Sequence, residues 1–311
     1  MNIPFTVLLL ALFAWPGWAQ EKHRLNHDGL QRSYYVQQPK ASAGEKLPLL
    51  LLLHGGGGNA RQALRNYPLA SMVDREKFIL VAPEGTGPLR REALHTWNVG
   101  FGFGYAQRKK VDDVGFIRAL IVHLKQQLPV DPDRIYLTGL SNGAILSHFA
   151  GAAHSDLVAG IAPVVGTVAG REEGQANYTY PQSPRHPVQV ILFNGALDKA
   201  VPLEGGLQKV HAEPQAREMV SALESARFWV RSNGCKADPL VEEFPEQKAT
   251  RYTWSGGQQQ TRVILYVLHN QGHAWPGGSS PRRAADAPSS LLKAHELLWE
   301  FFRNSPPKAR P

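Results

Sequence analysis

Residues 49–53 form a continuous apolar run between Pro48 and a stretch of glycines. A strand buried on both faces has this pattern, because helices cover both surfaces of a parallel sheet. The runs at 78–82, 135–137, 157–165 and 188–193 repeat it. Between them the apolar positions return every three or four residues. Leu64, Leu69, Met72 and Val73 do so within 63–77, around an interruption at Pro68, and Val114, Phe116, Ile117, Leu120, Ile121 and Leu124 do so further on. This spacing predicts amphipathic helices, with Asp112 and Asp113 as capping acids of the second. Further helices are predicted over 144–153, 217–231 and 291–302. A short strand is expected at 33–36, and an antiparallel hairpin from the alternation at 251–254, the turn Ser255-Gly256-Gly257 and the run 263–268. Strands alternating with helices predict an α/β protein with a doubly wound, mostly parallel sheet and helices on both faces.

Composition and charge add a compartment. Residues 1–19 carry an apolar run at 7–15 and end in Gly17-Trp18-Ala19 ahead of Glu21-Lys22. This reads as a secretory signal peptide, too short in its apolar run to span a membrane. The expected organisation is a signal at 1–19, one catalytic domain at 20–304 and a disordered basic tail at 305–311. A secreted or periplasmic location follows, with no stable membrane span after cleavage. Cys235 is the one cysteine, so the fold cannot depend on an internal disulfide. The net charge is +8, but the basic residues fall in twos and threes with no nucleic-acid motif around them. The charge therefore implies no nucleic-acid partner and leaves room for attraction to acidic polymers.

The chemistry centres on Gly139-Leu140-Ser141-Asn142-Gly143, which lies between a predicted strand and a predicted helix. Glycines around a serine on so sharp a turn let its hydroxyl stand clear at the sheet end, so Ser141 is the candidate nucleophile. A serine needs a base, and the base needs an orienting acid. Asp198 follows the strand at 188–193; Asp156 precedes a strand and Asp113 opens a helix, so both are poorer candidates. Of the histidines after Asp198, His211 has no strand to deliver it, His295 lies on the last helix, and His269 sits at a strand end where a structural role suits it. His273 lies one turn further, between Gly272 and Trp275-Pro276, and is the candidate base. A metal bound by His269 and His273 is disfavoured, since that spacing serves only on a helix and Gly272 and Pro276 oppose one. Neither metal nor cofactor is expected. His54-Gly55-Gly56-Gly57-Gly58 supplies a loop whose N–H groups can face a cleft, as an oxyanion requires. Trp97 and Trp275 are expected to wall the substrate pocket, with Trp275 as a prop for the His273 loop the alternative, and Phe101 and Phe103 are expected to pack the loop between them.

Taken together, Leu53-His54-Gly55-Gly56-Gly57-Gly58, Asp112-Asp113-Val114, Gly139-Leu140-Ser141-Asn142-Gly143 and Gly272-His273-Ala274-Trp275-Pro276-Gly277-Gly278 resemble the secreted polyhydroxybutyrate depolymerase and feruloyl esterase-like family of α/β-hydrolases. The resemblance implies an α/β-hydrolase fold and a serine esterase with Ser141, Asp198 and His273 as triad. It also implies the Gly56 and Asn142 N–H groups as oxyanion donors. Gly56 stands where many relatives carry a cysteine, and no polymer-binding module is expected after the catalytic domain. That favours soluble hydroxyalkanoate oligomers or aryl and feruloyl esters over solid polyester. A serine peptidase of the same fold and a catalytically silent binding protein are the competing readings.

Overall fold

The structure is a computed structural model that describes residues 21–40, 44–88, 94–208, 216–280 and 286–309. The expected signal at 1–19, His211 and the basic pairs Arg90-Arg91 and Arg282-Arg283 lie outside the described residues. The first described element is a hairpin. Asp28 and Gly29 take φ of 47° and 71°, the left-handed positions that a two-residue turn between twisted strands demands, and join β1 (Glu21–His27) to β2 (Leu30–Gln37). The apolar pattern reveals only the middle of β2, because no residue of β1 is buried.

The chain continues through β3 (Leu47–Leu53), α1 (Ala60–Asn66), α2 (Val73–Glu76), β4 (Ile79–Pro83), α3 (Tyr105–Arg108), α4 (Asp113–Gln127), β5 (Val130–Leu140) and α5 (Asn142–Ala153). Then come β6 (Gly160–Val164), β7 (Gly170–Glu172), β8 (Gln189–Gly195), β9 (Gly206–Gln208), β10 (Arg217–Met219) and α6 (Ala222–Asn233). The hairpin strands β11 (Leu240–Phe244), β12 (Ala249–Trp254) and β13 (Val263–Leu268) precede the last helix, α7 (Ala294–Arg303). The large sheet runs β1-β2-β4-β3-β5-β6-β8-β13-β12-β11. Its centre, β4 to β13, is parallel, and antiparallel pairs close both edges. Alternate residues of β3 point to opposite sides. Leu49, Leu51 and Leu53 pack with α4, α5 and α6, while Leu50 and Leu52 pack with α1 and α7. A two-sided core of this kind is what continuous apolar strands imply.

Several expectations are corrected. The helix predicted over 63–77 breaks at Pro68 into α1, a 3-10 turn and α2, because proline removes a donor and clashes with the preceding turn. The helix predicted from 217 begins only at Ala222, where Ser221 accepts the Glu224 N–H at 3.0 Å; residues 217–219 are instead the middle strand of a small sheet, β7-β10-β9. Asp112 does cap α4, accepting the Gly115 N–H at 2.9 Å. Asp113 does not. It is buried against Arg32 at 2.7 Å and accepts the Asn98 N–H at 2.7 Å, so it anchors the loop that precedes α3. The tail expected to be disordered from 305 docks as far as Lys308, whose N–H donates to the Asp133 carbonyl at 3.0 Å and whose Nζ donates to that of Pro187 at 3.2 Å.

The order of strands positions the site. β4 lies on one side of β3 and β5 on the other, so the segments leaving β3 and β5 diverge and open a crevice at the carboxyl edge of the sheet. The glycine run follows β3, and Ser141 follows β5.

Candidate active site

Ser141 turns β5 into α5 within a single residue, at φ 56° and ψ −118°. L-residues avoid this region, and the surroundings must hold it. Ser141 N–H donates to the Val164 carbonyl at 3.0 Å and its own carbonyl accepts from Ile145 at 2.9 Å. The flanking glycines are required by close approach. A Cβ on Gly139 would come within 2.7 Å of the Leu53 carbonyl oxygen, and one on Gly143 within 2.6 Å of that of His54.

The residue after the serine fastens the elbow to the next loop. Asn142 is buried; its Oδ1 accepts the Trp97 N–H at 2.7 Å and its Nδ2 donates to the Trp97 carbonyl at 3.1 Å. An amide that satisfies both backbone groups of one residue acts as a neighbouring strand would. The Trp97 indole N–H in turn donates to the His54 carbonyl at 2.8 Å. The glycine loop and the elbow converge here. A Cβ built on Gly55 lies 3.8 Å from Ser141 Cβ, and one on Gly56 lies 3.4 Å from Asn142 Cβ.

Asp198 and His273 come together at the same edge of the sheet, just past β8 and its neighbour β13. Asp198 Oδ2 lies 2.8 Å from His273 Nδ1, and Oδ1 accepts the N–H groups of Ala200 and Val201 at 2.8 Å each. The carboxylate side chain is wholly enclosed, whereas that of His273 is 23% exposed. Three hydrogen bonds therefore keep the buried carboxylate oriented, which is how a buried charge is made tolerable. The His273 N–H donates to Asp286 at 2.6 Å, fixing the turn that carries it. The rejected candidates are engaged elsewhere: Asp156 is forked by Arg118 at 2.9 Å, His269 Nε2 lies 2.8 Å from the Thr250 hydroxyl, and His295 is buried on α7.

Both tryptophans expected on the pocket wall belong instead to the core. Trp97 is 0% exposed and Trp275 1%, the latter stacked on Tyr67 with ring centroids 4.6 Å apart. An indole carries a large apolar area whose burial under loops is strongly favourable, and neither ring keeps a face for a ligand. Trp97 joins the glycine loop to the elbow, and Trp275 braces the turn after His273. Phe103, expected to pack the loop, is the half-buried ring beside Gly56. Its Cζ lies 2.5 Å from where a Cβ on Gly56 would be, and the Arg217 guanidinium lies 4.6 Å from its centroid.

One further group was invisible to sequence reasoning. His54, Glu84 and His95 come from three separate segments, and their potential ligand atoms lie within 4.8 Å of one another. Hydrogen bonds engage the group: His54 Nε2 accepts the Gly85 N–H at 2.9 Å, and Glu84 is bonded to the Ala60 N–H at 3.1 Å and to His95 Nδ1 at 2.8 Å. Burial pushes the Glu84 carboxyl up, but the imidazoles of His54 and His95 beside it outweigh that and lower its pKa to about 2.

A serine elbow at the carboxyl edge of a doubly wound sheet, with an acid after a later strand and a histidine last in the chain, defines an α/β-hydrolase. Acetyl xylan esterase from Aspergillus awamori shares the fold, with a TM-score of 0.61 over 91% of this chain and 99% of that one at 12% identity. Residues 32–181 match the family described as esterase PHB depolymerase, and the chain resembles these carboxylic ester hydrolases. Feruloyl esterase B of Piromyces equi is 29% identical over 248 residues, 78% of this chain and 42% of that protein. NocK of Nocardia uniformis subsp. tsuyamanensis, named for an inferred esterase activity, is 28% identical over 270 residues, 83% of this chain and 74% of that protein. The chain thus spans under half of the Piromyces protein.

Proposed function

We propose that the protein is an exported serine esterase that cleaves hydroxyalkanoate oligomers or feruloyl and other acyl esters through Ser141, His273 and Asp198. The observation that carries this reading is the Asp198–His273 bond of 2.8 Å, with the second carboxylate oxygen pinned by two backbone donors. A carboxylate on Nδ1 fixes the tautomer and leaves Nε2 to accept the Ser141 hydroxyl proton as Oγ attacks the ester carbonyl. The Gly56 and Asn142 N–H groups receive the charge that develops on the carbonyl oxygen. Protonated His273 then gives its proton to the leaving alcohol, freeing it and leaving an acyl-Ser141. Water, activated by the same imidazole, releases the acid and restores the serine.

The aromatic contact for the acyl group passes from the two tryptophans to Phe103, the half-buried ring beside Gly56. Export rests on residues 1–19, and no helix among the described residues is long and apolar enough to cross a membrane. The deciding experiment measures release of ferulate, acetate and 3-hydroxybutyrate from matched esters by wild type, Ser141→Ala and Phe103→Ala. Ser141→Ala should lose roughly 10⁴ to 10⁶ in rate on all three, and Phe103→Ala should lose about three- to tenfold more on the aryl ester than on acetate. More than a tenth of the activity surviving in pure Ser141→Ala would remove the serine from its role.

A further inference from the structure

The glycine run 55–58 has no side chains with which to pack, so its conformation must be set by hydrogen bonds from elsewhere. The bonds are specific. Gly57 N–H donates to the His95 carbonyl at 2.8 Å, Leu94 N–H to that of Gly57 at 3.2 Å, and Gly58 N–H to that of Gly55 at 3.1 Å. Residues 94–97 therefore serve as a template strand for the loop. The template is held at Thr96 by two backbone bonds of 3.0 Å to Thr86 and at Trp97 by Asn142, and at His95 by Glu84, the residue after β4. Its Oε1 receives His95 Nδ1 at 2.8 Å and the Ala60 N–H at 3.1 Å, so one carboxylate ties the template to the residue where the glycine loop becomes α1.

His54 completes the bracket. Gly85 N–H donates to His54 Nε2 at 2.9 Å, so that nitrogen is unprotonated and the proton lies on Nδ1, 2.9 Å from the Gly55 carbonyl oxygen. In this neutral form Nε2 stands 3.3 Å from Glu84 Oε1 as acceptor beside acceptor. His95 is thus the imidazole that bonds to the carboxylate.

We infer that Glu84, acting through His95 and the Ala60 N–H, is a positioning residue that fixes the Gly56 N–H for oxyanion stabilisation. The inference rests on the reading of Ser141 as nucleophile and Gly56 as donor. Glu84 touches no reacting atom; it sets where the donor points. Interactions made to the transition state alone lower kcat and leave KM little changed. Losing an oxyanion donor outright costs about 10² to 10³ in kcat, and a misplaced donor loses part of that.

The test uses the full chain carrying Glu84→Ala, His95→Ala or His95→Asn. In the last, the amide nitrogen falls near the place of Nδ1 and keeps a donor toward Glu84. Three quantities are read with p-nitrophenyl acetate: kcat, KM and the affinity of a trifluoromethyl ketone that binds as a tetrahedral adduct. Glu84→Ala, which removes the acceptor, and His95→Ala should lose roughly 10- to 100-fold in kcat, with KM within about twofold. The ketone should weaken in proportion, and His95→Asn should recover to within about threefold of wild type. A folded Glu84→Ala with wild-type kcat overturns the inference, as does His95→Asn no better than His95→Ala, or a fall in kcat that ketone affinity does not follow. Should Glu84→Ala not fold, the His95 pair decides alone. End-point labelling of Ser141 by a fluorophosphonate separates the two levels: no label on wild-type Ser141 sinks the triad reading, whereas stoichiometric label with unaffected kcat in the variants sinks only the role of Glu84.

Discussion

Two histidine–carboxylate pairs stand at the carboxyl edge of this sheet, built of the same parts and put to different uses. In His273–Asp198 the carboxylate is wholly enclosed and satisfied by backbone donors, while the imidazole is 23% exposed and bonds through Nδ1 alone to the acid. In His95–Glu84 the imidazole joins one loop to another, and His54 beside it has both nitrogens engaged with the backbone. In the proposed mechanism His273, held through Nδ1 by its acid, is the base, whereas His54, with both nitrogens engaged by backbone groups, shapes the loop beside it.

The largest effect should come from the first pair. His273→Ala should lower the rate on every ester by roughly 10⁴ to 10⁶ with little change in thermal unfolding, because the ring is partly exposed and removes a base rather than a core residue. A loss no greater than that of His95→Ala would erase the distinction between the pairs. Asp198→Asn should cost about 10⁴ near neutral pH, since the amide cannot stabilise the imidazolium that forms on His273. A near-neutral Asp198→Asn beside an inactive Asp156→Asn would move the acid to the other aspartate.

Trp97→Phe sharpens the second side of the comparison. It removes the indole N–H that holds the His54 carbonyl at 2.8 Å while keeping an apolar ring in a fully buried site. Acetyl, butyryl and feruloyl esters should lose about the same several-fold, with unfolding destabilised by about 1 to 3 kcal/mol for the unpaired buried carbonyl. A loss confined to the feruloyl ester would return Trp97 to the pocket wall.

The smallest effect concerns a third kind of histidine. His148 on α5 is fully buried, accepts the Trp229 indole N–H on Nδ1 at 2.9 Å, and burial pushes its pKa down to about 3. The unfolded chain protonates it below about pH 6.5 and the folded chain does not until about pH 3. The unfolded state then holds the extra proton, so stability is complete above the unfolded pKa and falls as pH drops through this window. His148→Asn keeps an acceptor in place of Nδ1 and cannot titrate. Unfolding free energy between pH 6.5 and 4 should fall less steeply than in wild type, by up to about 1.4 kcal/mol per pH unit. Equal slopes would show that His148 is not the group responsible.

The sequence by itself determined what depends on neighbours along the chain. The G-L-S-N-G turn between strand and helix located the elbow, since a strand can reverse so sharply only where the flanking positions lack a Cβ. Apolar runs gave the buried strands, and chain order singled out Asp198 and His273, which the structure brings to 2.8 Å. Polar β1 escaped because it has no buried face to leave a period, and β10 was absorbed into a helix because three residues are too few to show one. Only the tertiary structure decided what Glu84, Asp113, Asn142 and Trp97 do. Each finds its partner on another segment: Glu84 with Ala60 and His95, Asp113 with Arg32, Asn142 with Trp97. Periodicity records which face of an element is buried, but hydrogen bonds between the ends of different strands follow no period. Trp97, expected on the pocket wall, bonds instead to the His54 carbonyl beside the glycine run, and Glu84 bonds to the segments on either side of it.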